Sequence, residues 1–264
     1  MLTPVQTRRQ SLEEYRGIVD DELIDELHQL GETLRGVRVL HLNSTAHGGG
    51  VAELLDSILP LLRDLGVEAE WQVMTADPSF FTVTKTFHNG LQGMDVNVTE
   101  EQLGLYVAQN EETAASLEGQ WDVIFVHDPQ PAALKRFRPE AARHWIWRCH
   151  IDTSDPNGSV WRFLHPYVEE YEAAIFTMAA FVPPDLHVPT TAFIAPAIDP
   201  LSVKNRTIPR FLAREIVRRF GVDLGRPLLV QVARFDPWKD PQGVIDCYHQ
   251  VKEEIPEVQL ALIG

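Results

Sequence analysis

Leu12, Tyr15, Val19, Leu23, Leu27, Leu30 and Leu34 recur at three- and four-residue steps, which predicts one apolar stripe along a leading helix. The pattern then changes. Short apolar runs at 37–43, 67–74, 123–126, 145–149, 174–178 and 192–194 read as strands. Residues 51–65, 99–117 and 160–171 carry helical spacing between them. Strand and helix alternate, so the strands should be parallel and joined by right-handed crossovers. The run at 123–126 has no polar position, as expected of a strand covered on both faces. Pro196, Pro200 and Pro209 break the alternation and mark a linker. A helix at 211–220, a strand at 228–232, a helix at 242–254 and a strand at 258–263 then start it again.

This organisation predicts an α/β chain with a helical extension over 1–35, a doubly wound, Rossmann-like domain over 36–205 and the start of a second over 206–264. A single crossover cannot cover both faces of a sheet, so the chain is expected to continue beyond Gly264.

Composition narrows the class without naming it. The 264 residues are 44% hydrophobic and 23% charged, the balance of an ordinary globular protein. A net charge of -15 argues against nucleic acid and anionic membranes as partners. It leaves a small phosphate-bearing ligand open, because a few local cations and helix ends suffice to hold one. Cys149 and Cys247 have no metal or redox spacing, which suits a reduced, cytoplasmic compartment. No apolar run approaches the roughly 20 residues of a membrane span, and Met1–Val5 lack the basic-then-apolar start of a leader.

Four places carry candidate chemistry. Gly48-Gly49-Gly50 follows the first strand of the alternation and precedes a helix. Such a junction aims unpaired N–H groups at one spot, and glycines let a ligand approach the backbone. The triplet is not the G-x-G-x-x-G fingerprint, and a plain tight turn also explains it. His47-Gly48-Gly49-Gly50 matches the oxyanion loop of some esterases, but no G-x-S-x-G nucleophile accompanies it. His127 ends a strand, at the edge where open α/β sheets bind ligands, and equally suits a histidine that satisfies loop carbonyls. Asp128-Pro129 after it reads as a helix cap and first turn. The next strand repeats the layout with His150, Asp152 and Asp155-Pro156. No histidine spacing suits a metal. Last, the strand that begins at 228 runs out at Arg234, and Lys239 precedes an Asp240-Pro241 helix start. Two cations beside a helix N-terminus suit a diphosphate, and a solvated surface pair is the alternative.

Together these features resemble the retaining, nucleotide-sugar-dependent glycosyltransferases of GT-B architecture. His41-Leu42-Asn43-Ser44-Thr45, the loop at 48–51, Trp71-Gln72-Val73-Met74, Phe87-His88-Asn89, Trp147-Arg148-Cys149-His150-Ile151-Asp152 and Phe235-Asp236-Pro237-Trp238-Lys239-Asp240 are similar to the trehalose synthase and trehalose phosphorylase group. The resemblance implies transfer of glucose from a nucleoside diphosphate glucose to glucose, giving trehalose with retention. It implies that Arg234 and Lys239 hold the donor diphosphate and that Gly48, Gly49 and Gly50 abut the donor. His127 would touch the donor sugar near the reacting carbon, and Asn43, His150 and Asp152 would serve the acceptor. It implies no metal and no cofactor beyond the nucleotide sugar. The family's later glutamate segment lies outside these 264 residues, so the chain by itself is expected to be inactive. Expected partners are small sugars and the nucleotide sugar, with the leading helix a candidate homodimer contact. The alternatives left open are a phosphorylase and a non-catalytic sugar-binding module.

Overall fold

The computed structural model describes residues 1–264. Contacts divide the chain into two compact units, Met1–Ser202 and Val203–Gly264.

In the first unit, strands β1 (Leu2–Pro4), β2 (Arg38–Asn43), β3 (Glu68–Met74), β4 (Trp121–His127), β5 (Ala142–Arg148), β6 (Ala173–Phe176) and β7 (Thr190–Phe193) form one sheet, in the order β1-β3-β2-β4-β5-β6-β7. All neighbours run parallel except β1, which pairs antiparallel with β3 through Leu2 and Met74. Pro4 lacks an N–H and suits this edge position. Helices α1 (Asp21–Leu34), α2 (Gly50–Asp64), α3 (Pro78–Leu91), α4 (Glu100–Ala115), α5 (Leu134–Phe137) and α6 (Gly158–Val168) complete the unit.

Period-two alternation sorts the strand residues between two cores. Leu40, Leu42, Ile124, Val126, Trp145, Trp147 and Phe176 face Phe80 and Phe87 of α3, Tyr106 of α4 and Leu164 of α6. Val39, Ala69 and Trp71, with Val123 and Phe125 at the margin, face Leu55 and Leu59 of α2. The parallel sheet is therefore covered on both faces, as the apolar run at 123–126 requires.

Two expectations are corrected, and one unassigned region gains a helix. The leading stripe is not one helix. A 3-10 turn, Leu12–Tyr15, is followed by a turn with Gly17 at φ 78°, and α1 starts only after its cap Asp20. Within α1 the inward face carries Ile24, Leu27 and Gly31, while Leu23, Leu30 and Leu34 of the stripe are exposed. Gly31 allows this face to close on the end of α2, because a Cβ there would lie 2.9 Å from the Leu65 carbonyl oxygen. Helix α3 spans a region the pattern left unassigned. Asp77 caps it by accepting from the Ser79 N–H at 2.8 Å, with Pro78 in its first turn. Neither Asp128-Pro129 nor Asp155-Pro156 caps a helix. Asp128 is followed by turns, and α6 is capped by Asn157.

The second unit contains α7 (Arg210–Arg219), β8 (Leu228–Val232), α8 (Pro241–Glu254) and β9 (Gln259–Ile263). β8 and β9 run parallel, with Leu228 opposite Gln259 and Val232 opposite Ile263. Here the Asp-Pro expectation holds. The Asp240 carboxylate accepts from the Gly243 N–H at 2.9 Å and caps α8, from a backbone at φ 45°. Gly243 is required by that cap, since a Cβ there would fall 2.1 Å from Asp240 Oδ2.

Candidate functional site

Strand register decides which polar residues share a face. His41 lies opposite Phe125, and His127 lies opposite Arg148. Alternation then places His41, Phe125, His127 and Arg148 on the α2 side of the sheet, with His150 two residues beyond Arg148. The three imidazoles form a ladder across the C-terminal edge of β2, β4 and β5. His41 Nδ1 lies 3.0 Å from His127 Nε2, and His127 Nδ1 lies 3.0 Å from His150 Nε2. The His41 ring stacks on Phe125 at 4.7 Å between centroids, and the His127 ring stacks on His150 at 5.3 Å.

The ladder grades from core to surface. His41 and His127 are buried, at 6% and 1% exposure, and His150 is partly exposed. His41 Nε2 is buried with no hydrogen-bond partner. Burial first, and then the positive charge of Arg148, lowers the His41 pKa to about 3 and that of His150 to about 4. Burial also holds His127 well below the ordinary range, with His41, His150 and Arg148 adding to the effect. All three rings are therefore neutral at pH 7.

Asp128 braces this edge. At φ 62° it turns the chain sharply after β4, its N–H donates to the Arg148 carbonyl, and its own carbonyl accepts from Trp147 Nε1 at 3.0 Å. Its carboxylate accepts from the His150 N–H at 2.8 Å. Burial raises the Asp128 pKa to about 7, against the His150 hydrogen bond and the nearby Arg148, which lower it. Sequence reading missed both the brace and the part played by Arg148, whose place opposite His127 depends on strand register.

The Gly-rich junction lies at the end of β2. Gly48 has φ 80°, a conformation that favours glycine, and Gly49 is the cap residue of α2 without a side-chain bond to the first turn. A Cβ at 48, 49 or 50 would meet nothing within 4 Å, so the space outside this loop is open. Asn43, expected among the acceptor contacts, is instead turned inward. Its Oδ1 accepts from Trp71 Nε1 at 2.7 Å and its Nδ2 donates to the Thr45 carbonyl at 2.8 Å, which shapes the loop. His127 offers no nitrogen to a ligand in this arrangement, because both are engaged within the ladder. His150 Nδ1 makes no hydrogen bond and remains available. Asp152 is exposed and uses one oxygen to accept from the Ser154 N–H at 3.0 Å.

In the second unit, Arg234 is exposed and its Nη2 lies 3.0 Å from Asp236 Oδ2. That pair is an ion pair without hydrogen-bond geometry, and both Asp236 oxygens are buried without hydrogen-bond partners. Lys239 is exposed next to the α8 cap, and its carbonyl accepts from Gln231 Nε2 at 2.6 Å. No cluster of three or more His, Cys, Asp or Glu is arranged to hold a metal, and no helix is long and apolar enough to cross a membrane.

Known proteins share this framework. Residues 41–183 match the family described as trehalose synthase, N-terminal domain. A trehalose synthase of Rubrobacter xylanophilus is 51% identical over 100% of this chain and 65% of its own length. A trehalose phosphorylase of Pleurotus pulmonarius is 28% identical over 91% of this chain and 37% of its own. Among solved structures, an α,α-trehalose 6-phosphate synthase from Burkholderia multivorans superposes with a TM-score of 0.64 at 17% identity, covering 87% of this chain and 65% of that one. At that identity the likeness bears on fold, an α/β chain of GT-B type. The chain thus spans slightly under two thirds of the length of its nearer curated relative.

Proposed function

This chain belongs to the trehalose synthase N-terminal-domain family, and on that premise we propose that the protein is a retaining glycosyltransferase which moves glucose from a nucleoside diphosphate glucose to glucose, forming α,α-trehalose. The observation that carries this reading is the family match across the first unit, which contains the whole histidine ladder. Identity is far greater to the synthase than to the phosphorylase, which favours a nucleotide sugar over inorganic phosphate as the donor's partner.

These roles come from the family resemblance. Arg234 and Lys239 hold the donor diphosphate, and their charge stabilises it more as the sugar departs. A diphosphate would compete with Asp236 for the Arg234 guanidinium. The open N-terminus of α2, with Gly48, Gly49 and Gly50, has backbone N–H groups suited to an anionic ligand. His150 and Asp152 meet the acceptor at the sheet edge, while Asn43 and His127 support the site from behind. Retention here needs no carboxylate nucleophile: the departing phosphate takes the acceptor's proton as the new bond forms on the same face.

The test uses the full-length enzyme. Trehalose should form, with release of the nucleoside diphosphate, from nucleotide sugar and glucose. It should not arise from glucose 1-phosphate, and trehalose should not be cleaved by inorganic phosphate. Arg234→Ala and Lys239→Ala should each lower kcat by roughly 10²–10³, the scale of one preorganised donor. Phosphate-dependent cleavage without nucleotide use would replace this reading by the phosphorylase. Glucose binding without any turnover would replace it by a binding module.

A further inference from the structure

The ladder has a direction, and the direction determines what the surface histidine offers. A neutral imidazole has one N–H and one bare nitrogen. Each 3.0 Å contact between rings therefore needs a donor on one side and an acceptor on the other. With all three rings neutral, only two proton arrangements satisfy both contacts. In one, protons point from His150 toward His41, and the buried His41 Nε2 carries an N–H with no acceptor. In the other, His41 Nδ1 donates to His127 Nε2, His127 Nδ1 donates to His150 Nε2, and His41 Nε2 is a bare nitrogen. Either leaves His41 Nε2 unpartnered in the core. Among buried backbone groups orphaned N–H donors are the rarer kind, and the same preference carried over to this ring selects the second arrangement.

We propose that His41 and His127 are positioning residues that lock His150 in the tautomer with its proton on Nδ1, so the ring meets its ligand as an uncharged hydrogen-bond donor. The fixed residues around it support a single ring orientation. Phe125 stacks on His41, His150 stacks on His127, and the Asp128 carboxylate anchors the His150 backbone N–H. The ligand atom this suits is an oxygen acceptor, a sugar hydroxyl or ring oxygen. That identity of the ligand rests on the proposed function; the tautomer does not.

The experiment is nitrogen NMR of the full-length protein labelled with ¹⁵N-histidine, in which protonated and bare ring nitrogens resonate far apart. His150 should show its proton on Nδ1, with couplings across both N–H···N contacts. His41→Phe keeps a stacking ring but removes the donor to His127, and should leave His150 a mixture of tautomers. His41→Asn restores a donor near the position of Nδ1 and should restore the single tautomer. In full-length enzyme, His41→Phe should raise the glucose KM roughly fivefold, the scale of one hydrogen bond, with kcat within about twofold. A proton on Nε2 of His150 in the wild type would overturn the proposal, as would an unchanged His150 tautomer in His41→Phe. If that variant does not fold, the wild-type spectrum alone decides the direction. A correct tautomer in a protein that neither binds glucose nor makes trehalose would sink the proposed function and leave the lock standing.

Discussion

Buried histidines carry a measurable acid sensitivity. His41, His127 and His150 are held below their ordinary pKa of 6.5, so the unfolded chain binds three more protons there than the folded one as pH falls below that value. Their contribution to stability is complete above pH 6.5 and declines on acidification. Asp128 acts in the opposite sense: its folded pKa of about 7 lies above the ordinary 3.8, so the folded state holds one extra proton between those values. The net is two protons, at most about 3 kcal/mol lost per pH unit between roughly pH 6 and 5. Glu172 and Asp199, whose pKa values are lowered, add to the loss only at more acid pH. Urea unfolding at a series of pH values reads this slope directly. In His127→Phe the slope should fall by one proton's worth, about 1.4 kcal/mol per pH unit, whatever the variant's absolute stability. An unchanged slope would mean that this ring is already protonated in the fold. The sequence named His127 and His150 as strand-end histidines. It assigned no role to His41 as a ring, because contact across three strands depends on register.

At the scale of elements, the same substitution should have opposite signs in two helices. Gly104 lies on the exposed face of α4, where an added Cβ meets nothing within 4 Å. Gly104→Ala should stabilise by about 0.8–1 kcal/mol, the difference in helix propensity. Gly31 of α1 faces Leu65, where the added Cβ would lie 2.9 Å from a backbone oxygen and 3.0 and 3.1 Å from side-chain carbons. Overpacking of that kind costs about 1–3 kcal/mol, which outweighs the propensity gain. Gly31→Ala should therefore destabilise, and midpoints of denaturant unfolding would show both signs. If both variants are stabilised, α1 is free to move away from Leu65. Strand and helix types were legible from period alone for β2, α2, β3 and α4. The leading stripe misled because leucine spacing continued through a region where Gly17 adopts φ 78° and breaks the helix.

The two units differ in how much of themselves they bury. The first contains nearly all fully buried side chains, including Trp145, Trp147, Tyr106 and Phe87. In the second, Val230, Val232 and Phe235 are more than half exposed, and Val258 is the one buried apolar residue. Local opening costs less where fewer apolar contacts must be broken. Native-state hydrogen exchange on this chain should find the slowest amides in β2, β4 and β5, and those of β8 and β9 exchanging at least tenfold faster. Equal protection in both sheets would show that the second unit opens only with the first.

Sequence by itself determined the α/β class, the parallel alternation, the glycine loop after β2 and the Asp240 cap, because each depends on residues a few positions apart. It also supplied the family resemblance, which rests on short motifs. Tertiary structure decided what the motifs do. Only strand register joins residues 41, 127 and 150 into one hydrogen-bonded row, turns Asn43 inward to Trp71 and makes Asp128 a brace to His150 instead of a helix cap. Those partners are separated by 22 to 86 positions along the chain, beyond the reach of any local period.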